Sequence, residues 1–269
     1  VVCQHRLGSL GFMALPEFSA RDPRGVSGNY GFLDYQLCLR WVQKHVAAFG
    51  GDASNVTLMG QSSGGTLNHA HLAAPGSQGL FHRVIALSGA PGSPKLSQAS
   101  KEEQDHRIWL PRTGCAESSA VLDCLLRLRS VDIAQAIPEI YTREDTTDYP
   151  VKPGPSEIPW AELLHVDGVT IAWQMEEALA KGPTVPLLFQ TMGAELSGVP
   201  HFAPIPNESA FEKFLYEKFA AGYGPEFPRK VRQAYAAFPP AEAAYSLDSE
   251  TGNACGYRAL GQIAASQGT

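Results

Sequence analysis

The sequence predicts an α/β fold in which a mostly parallel sheet is covered by helices on both faces. Three observations carry this. A short apolar, β-branched run from Val56 to Met59 leads straight into Gly60-Gln61-Ser62-Ser63-Gly64, and the residues up to Leu72 can continue as a helix. Strand, helix and strand alternate through the first third of the chain, the order that produces parallel pairing. The 269 residues, 44% hydrophobic and 18% charged, suffice for one large domain burying about 70–75% of its unfolded surface. Residues 1–269 are expected to form a single, partial domain.

In chain order, Val1 to Cys3 reads as a strand, and Pro16 to Gly28, rich in Gly, Pro and Arg, as a surface loop. From Phe32, the apolar residues Leu33, Leu37, Trp41 and Val42 recur three to four apart, which predicts an amphipathic helix ended by Gly50-Gly51. The strand at Val56 to Met59 and its helix follow, then a turn at Pro75-Gly76-Ser77. A second β-rich run spans Arg83 to Leu87 and closes on Ser88-Gly89. Pro91 to Lys152 is polar and helical in pattern. Gln174 to Lys181 reads as a helix and Val185 to Gln190 as a buried strand.

Gly60 to Gly64 fits Gly-x-Ser-x-Gly between a strand and a helix, the arrangement of a nucleophile elbow. A serine on so tight a turn has strained φ/ψ and crowded neighbours, so small residues are expected two positions to either side. The turn would lift the Ser62 hydroxyl above the sheet, with the Ser63 N–H aimed at the same space. An oxyanion formed there would meet that donor and the positive end of the helix dipole. The alternative is a Gly/Ser-rich loop that matches the pattern by chance.

The formal charge of −6 and the lack of a basic run argue against nucleic acid or an anionic membrane as partner. No apolar run approaches the ~18 residues of a membrane span. No Cys or His pair with ligand spacing lies near another, so no metal site is expected.

Several stretches together resemble the type-B carboxylesterase and cholinesterase family of α/β-hydrolases. These are Gly28-Asn29-Tyr30-Gly31-Phe32-Leu33-Asp34, Arg40-Trp41-Val42-Gln43, Ala47-Ala48-Phe49-Gly50-Gly51-Asp52, Asn55-Val56-Thr57-Leu58 and Leu80-Phe81-His82-Arg83. The resemblance is nearly continuous from Val1 to Gly89 and followable to the C-terminus. It implies an α/β-hydrolase fold and a serine carboxylic-ester hydrolase that works through an acyl-enzyme, with a Ser-Glu-His triad and no cofactor. Its partner would be a small-molecule carboxylic ester. Glu195, just past the Val185 to Gln190 strand, stands where the family places its acid, although Ala194-Glu195-Leu196 replaces the usual Asp-Glu-Gly. The other reading of Glu195 is a surface glutamate in a loop. By the same analogy Ser88 would hydrogen-bond the acid, or be a plain strand-end serine. Asp34 would form a structural ion pair with Arg6.

Cys115 and Cys124, nine residues apart, resemble a family pair that forms a disulfide; two buried free thiols are the alternative. Such a bond would place the protein in an oxidising compartment, secreted or in the ER lumen. Cys255 resembles a third family cysteine whose partner would lie beyond residue 269. Cys3 and Cys38, in apolar settings, read as core residues. Asn207-Glu208-Ser209 is a candidate glycosylation sequon, whereas Asn55-Val56-Thr57 enters a strand.

Serine needs a histidine base within hydrogen-bond reach. Of the eight histidines (His5, His45, His69, His71, His82, His106, His165 and His201), none stands at the family's catalytic position. His201 follows Glu195 within the same loop, a poor place for the base. The family position would lie several tens of residues past Cys255, and the family's glycine-rich oxyanion loop would precede Val1. The chain is therefore expected to be a piece cut at both ends, inactive alone, from an active esterase parent. The competing reading is a catalytically inactive, cholinesterase-like adhesion protein that uses the fold as a binding surface.

Overall fold

The computed structural model describes residues 1–94, 96–136, 164–181, 185–193, 195 and 205–267. These fall into two compact units: one holds the described residues up to 136, those from 164 to 190 and those from 256 on, the other the described residues between 191 and 255.

In the first unit, short helices α1 (Gly8–Phe12) and α2 (Pro16–Ser19) precede a long α3 (Tyr30–His45). Next come β1 (Thr57–Gln61), α4 (Ser63–Ala70) and β2 (Arg83–Leu87). Helices α5 (Gln98–Ile108), α6 (Val121–Arg127), α7 (Ser130–Gln135) and α8 (Met175–Ala180) then lead to β3 (Leu187–Gln190). The strands form a parallel sheet in the order β1-β2-β3, with Gly60 opposite Ala86 and Ala86 opposite Phe189.

The pleat sorts the side chains. Leu58, Val84 and Ala86 are buried on one face, against Leu39 of α3 and Leu67 of α4, and against Tyr257 and Leu260. On the other face Met59, Ile85 and Leu188 stand in one register row, with Met59 65% and Leu188 49% exposed. Among the described residues this second face is the more open of the two, with Ile85 partly buried between Met59 and Leu188. β3 is accordingly a half-buried edge strand rather than a fully buried one.

Other expectations shift at the chain's start. Residues 1–7 form no strand, and Val1 and Val2 are 81% and 89% exposed, with no strand beside them among the described residues. On α3 the buried stripe is Phe32, Gln36, Leu39 and Val42, while Leu37 and Trp41 face outward. Gln36 tolerates burial because its amide donates to Ser77 Oγ at 2.9 Å and its carbonyl accepts from Arg40. The Arg6–Asp34 ion pair forms at 2.7 Å, keeping the Asp34 carboxyl below its ordinary range. On α5, buried Lys101 and Asp105 pair at 2.7 Å, and the second Asp105 oxygen accepts the Ala14 N–H.

Two disulfides stitch this unit. Cys115–Cys124 joins as the resemblance implied. Cys3 and Cys38, expected as free core residues, are bonded to each other with Cα atoms 6.1 Å apart. Pairing depends on where α3 lies beside the N-terminal segment, and spacing alone does not carry that information. In the chain-entropy model a 35-residue loop stabilises by about 3.8 kcal/mol and a nine-residue loop by about 2.6 kcal/mol. Cys38→Ser is therefore expected to lower the unfolding free energy by up to about 4 kcal/mol, more than Cys124→Ser; urea titrations under non-reducing conditions would rank them.

The second unit contains α9 (Glu208–Tyr223), α10 (Phe227–Ala234) and α11 (Pro240–Ser249), packed around Phe211, Leu215, Phe219, Ala244 and Leu247. Asn207, the sequon asparagine, is the N-cap of α9, its side-chain oxygen accepting the Ala210 N–H at 3.0 Å. Buried Lys218 and Asp248 join α9 to α11. A last helix, α12 (Cys255–Ser266), returns Tyr257 and Leu260 to the core of the first unit.

Candidate active site

The site is built where β1 turns into α4. Ser62 has φ +56° and ψ −124°, and among the described non-glycine residues only Asn29 and Ser88 share its positive φ. An L-residue held there stores about 1–3 kcal/mol of strain and persists because its surroundings fix both sides. On the strand side the Ser62 N–H donates to the Leu87 carbonyl at 2.9 Å, extending the β1–β2 ladder. On the helix side its carbonyl accepts the Thr66 N–H at 3.1 Å and opens α4. Ladder and helix thus meet at one residue. Its hydroxyl caps nothing and is exposed at the carboxyl end of the strand, the edge where open α/β sheets bind ligands.

Ser63 is the first residue of α4 and is exposed, so its N–H belongs to the first turn, where helical N–H groups lack partners within the helix. The eight-residue helix adds its positive end there.

The glycines are not equivalent. A Cβ on Gly60 would lie 2.5 Å from the Gly64 carbonyl carbon and oxygen, and one on Gly65 would lie 3.0 Å from the Leu87 oxygen. A Cβ on Gly64 would meet nothing within 4 Å. The expectation of crowding on both sides of the serine is corrected: Gly60 and Gly65 keep the turn tight, whereas Gly64 lends only its backbone. Gly60→Ala is expected to cost about 1–3 kcal/mol, because backbone must move. Gly64→Ala should be neutral or stabilise by up to about 1 kcal/mol, as alanine does in a helix. Thermal melts of the two variants would separate them.

Ser88 follows β2 directly beside the elbow, half-buried with φ +48°, and its N–H donates to the Gln190 carbonyl at 2.7 Å. Ser62, Ser63 and Ser88 therefore share the carboxyl end of one sheet. Glu195 belongs to the other compact unit. There its Oε1 accepts the Met192 N–H at 2.7 Å, and its own N–H donates to Ser249 Oγ at 2.6 Å. Ser249, 2% exposed, donates in turn to the Tyr245 carbonyl. Nothing in the sequence pointed to Ser249, since the bond spans 54 residues.

The buried histidines are engaged away from the elbow serine. His69 Nε2–H donates to the Ser93 carbonyl at 3.1 Å, and its Nδ1 lies 3.5 Å from the Tyr257 hydroxyl. His71 Nδ1 meets Ser77 Oγ at 2.7 Å, with the ring stacked on Phe32. Burial depresses His69 to about 4 and His71 to about 3, far from the near-neutral value a general base needs. His82 Nδ1 accepts the Val56 N–H, His165 sits between the Ser27 carbonyl and Gln98, and His201 lies outside the described residues.

Comparison with known proteins identifies the family and the fold. The profile of the carboxylesterase family matches residues 1–223. A cocaine esterase of Oryctolagus cuniculus is 40% identical over 142 residues, covering 52% of this chain and 25% of that protein. Pyrethroid hydrolase Ces2a of Mus musculus is 38% identical over 143 residues (52% and 24%), and an acylcarnitine hydrolase of Mus musculus 40% over 127 residues (46% and 21%). Two solved structures of PNB esterase superpose over 98% of this chain with TM-scores of 0.70 and 0.69 at 24% and 23% identity, and these show a shared fold. The matches cover about a quarter of the length of those curated relatives and about half of the solved chains.

Proposed function

The chain belongs to the carboxylesterase family, and from that premise we propose that its protein hydrolyses carboxylic esters through an acyl-enzyme on Ser62. The observation that carries the proposal is the positive-φ backbone at Ser62, which holds an exposed, uncommitted hydroxyl at the carboxyl end of the sheet. In this reading Ser62 Oγ attacks the ester carbonyl while a histidine base takes its proton. The tetrahedral oxyanion receives the Ser63 N–H and the field of the α4 N-terminus. The imidazolium returns its proton to the leaving alkoxide, alcohol departs, and the acyl group stays on Ser62. Water, deprotonated by the same base, then releases the carboxylic acid.

Glu195 is assigned the orienting acid. Met192 and Ser249 hold its loop so that the carboxylate can fix the imidazole and stabilise its charged form. The base is assigned to a histidine outside these 269 residues: His69, His71, His82 and His165 are held by partners away from the elbow, and no histidine of this chain stands at the family's catalytic position. Ser88 is assigned a supporting hydrogen bond to the acid. Gln61, immediately before the nucleophile, adds no negative charge, which favours a neutral ester over a cationic one. Two disulfides support an oxidising compartment, secreted or in the ER lumen.

Treating the intact protein with a fluorophosphonate probe and mapping the adduct by mass spectrometry tests the assignment. Labelling at Ser62 that an excess of simple ester delays is expected; an unlabelled Ser62 would sink the proposal.

A further inference from the structure

The first unit contains a cleft that includes neither Ser62 nor Ser63. It is a cleft of about 650 Å³, within the range of small-molecule sites. Its walls come from separate elements: Met13 just past α1, Phe18 of α2, Trp109 after α5, and Leu122 and Leu125 of α6. Met13, Trp109 and Leu125 are almost fully buried, so the floor is packed rather than frayed. α6 also carries Cys124, and its disulfide to Cys115 fixes the leucine wall without any ligand.

The polar groups of the cleft are unequally satisfied. Arg6 is paired with Asp34, and Asp22 is held by Arg24 at 2.9 Å. The Arg21 guanidinium, exposed at the mouth, has no hydrogen-bond or ion-pair partner among the described residues, which leaves one unpaired positive charge there. Trp109 adds an indole N–H that is buried without an acceptor. An apolar trough with one free guanidinium at its rim is complementary to a molecule with an alkyl body and a single anionic end. A neutral alkyl chain would leave Arg21 unanswered, and a small anion would leave the leucines bare.

We propose that this cleft binds a free long-chain carboxylate, its alkyl chain lying along Phe18, Trp109 and Leu125 and its carboxylate meeting Arg21. Calorimetric titration of the intact protein with sodium laurate, after Ser62 is blocked by a phosphonate, tests it. Saturable one-to-one binding is expected. Arg21→Glu should weaken laurate by at least about tenfold while leaving dodecanol unchanged. Leu126 also lines the cleft, so Leu126→Glu, which places a charge on the apolar wall, should weaken both. Residues 21 and 126 are exposed, so both variants should keep the wild-type melting temperature. Absence of saturable binding, laurate affinity unmoved by either substitution, or binding only to anionic phospholipid vesicles would each overturn the proposal.

Discussion

Replacing Ser62 by alanine in the intact protein is expected to lower kcat for a simple aryl ester by about 10⁶-fold, the loss seen when the nucleophile of a serine hydrolase is removed. KM should change little, since the hydroxyl takes part in bond making more than in holding substrate. The backbone adds a second, opposite effect. At φ +56° glycine is unstrained where serine is not. Ser62→Gly should therefore be as inactive as Ser62→Ala but more stable than wild type by about 1 kcal/mol. Single-turnover kinetics beside urea denaturation would show both effects. Retention of more than about 1% of turnover by Ser62→Ala would remove the residue from the chemistry.

The second large effect is on stability below neutral pH. His69 and His71 are buried, and their folded-state values of about 4 and about 3 lie below the ordinary 6.5. Between pH 6.5 and 4 the unfolded chain binds protons there that the folded chain refuses, so acid favours unfolding. Their contribution is complete above pH 6.5 and is progressively lost towards pH 4, amounting to several kcal/mol for the pair. His71 has no alternative, because its Nε2 is buried without a partner and aromatic rings surround it. Asp34 and Asp22, held low by Arg6 and Arg24, add their losses only at lower pH. Asp105, whose carboxyl burial raises, works in the opposite sense and gains stability on protonation. Melting temperatures from pH 7 to pH 4 should fall steeply, and His71→Gln should flatten the fall. A level profile in that window would contradict the burial of both rings as neutral species.

The sequence made the elbow legible because its physics is local. A strand, a strained serine, small neighbours and a helix must follow one another within some ten residues, and β2 is equally plain from its β-branched run over Arg83–Leu87. What failed depends on distant parts of the chain. Periodicity from Phe32 put Leu37 and Trp41 with Val42 on the buried face of α3; Phe32 and Val42 are buried, but Leu39 takes the place of Leu37 and Trp41. The motif treats Gly64 as crowded, whereas the collision lies at Gly65, against a carbonyl of the neighbouring strand. Cys3–Cys38 and the Ser249 support of Glu195 are long-range pairings with no local mark.

The covalent tie between residues 3 and 38 also decides how the molecule would answer to force. A pull applied at its two ends would travel through sulfur and bypass the loop between Cys3 and Cys38, shielding α1, α2 and the first half of α3 from tension. Opening this bond alone, as in Cys38→Ser, would lengthen the stretched contour by about 120 Å, a length that a single-molecule extension trace would register directly.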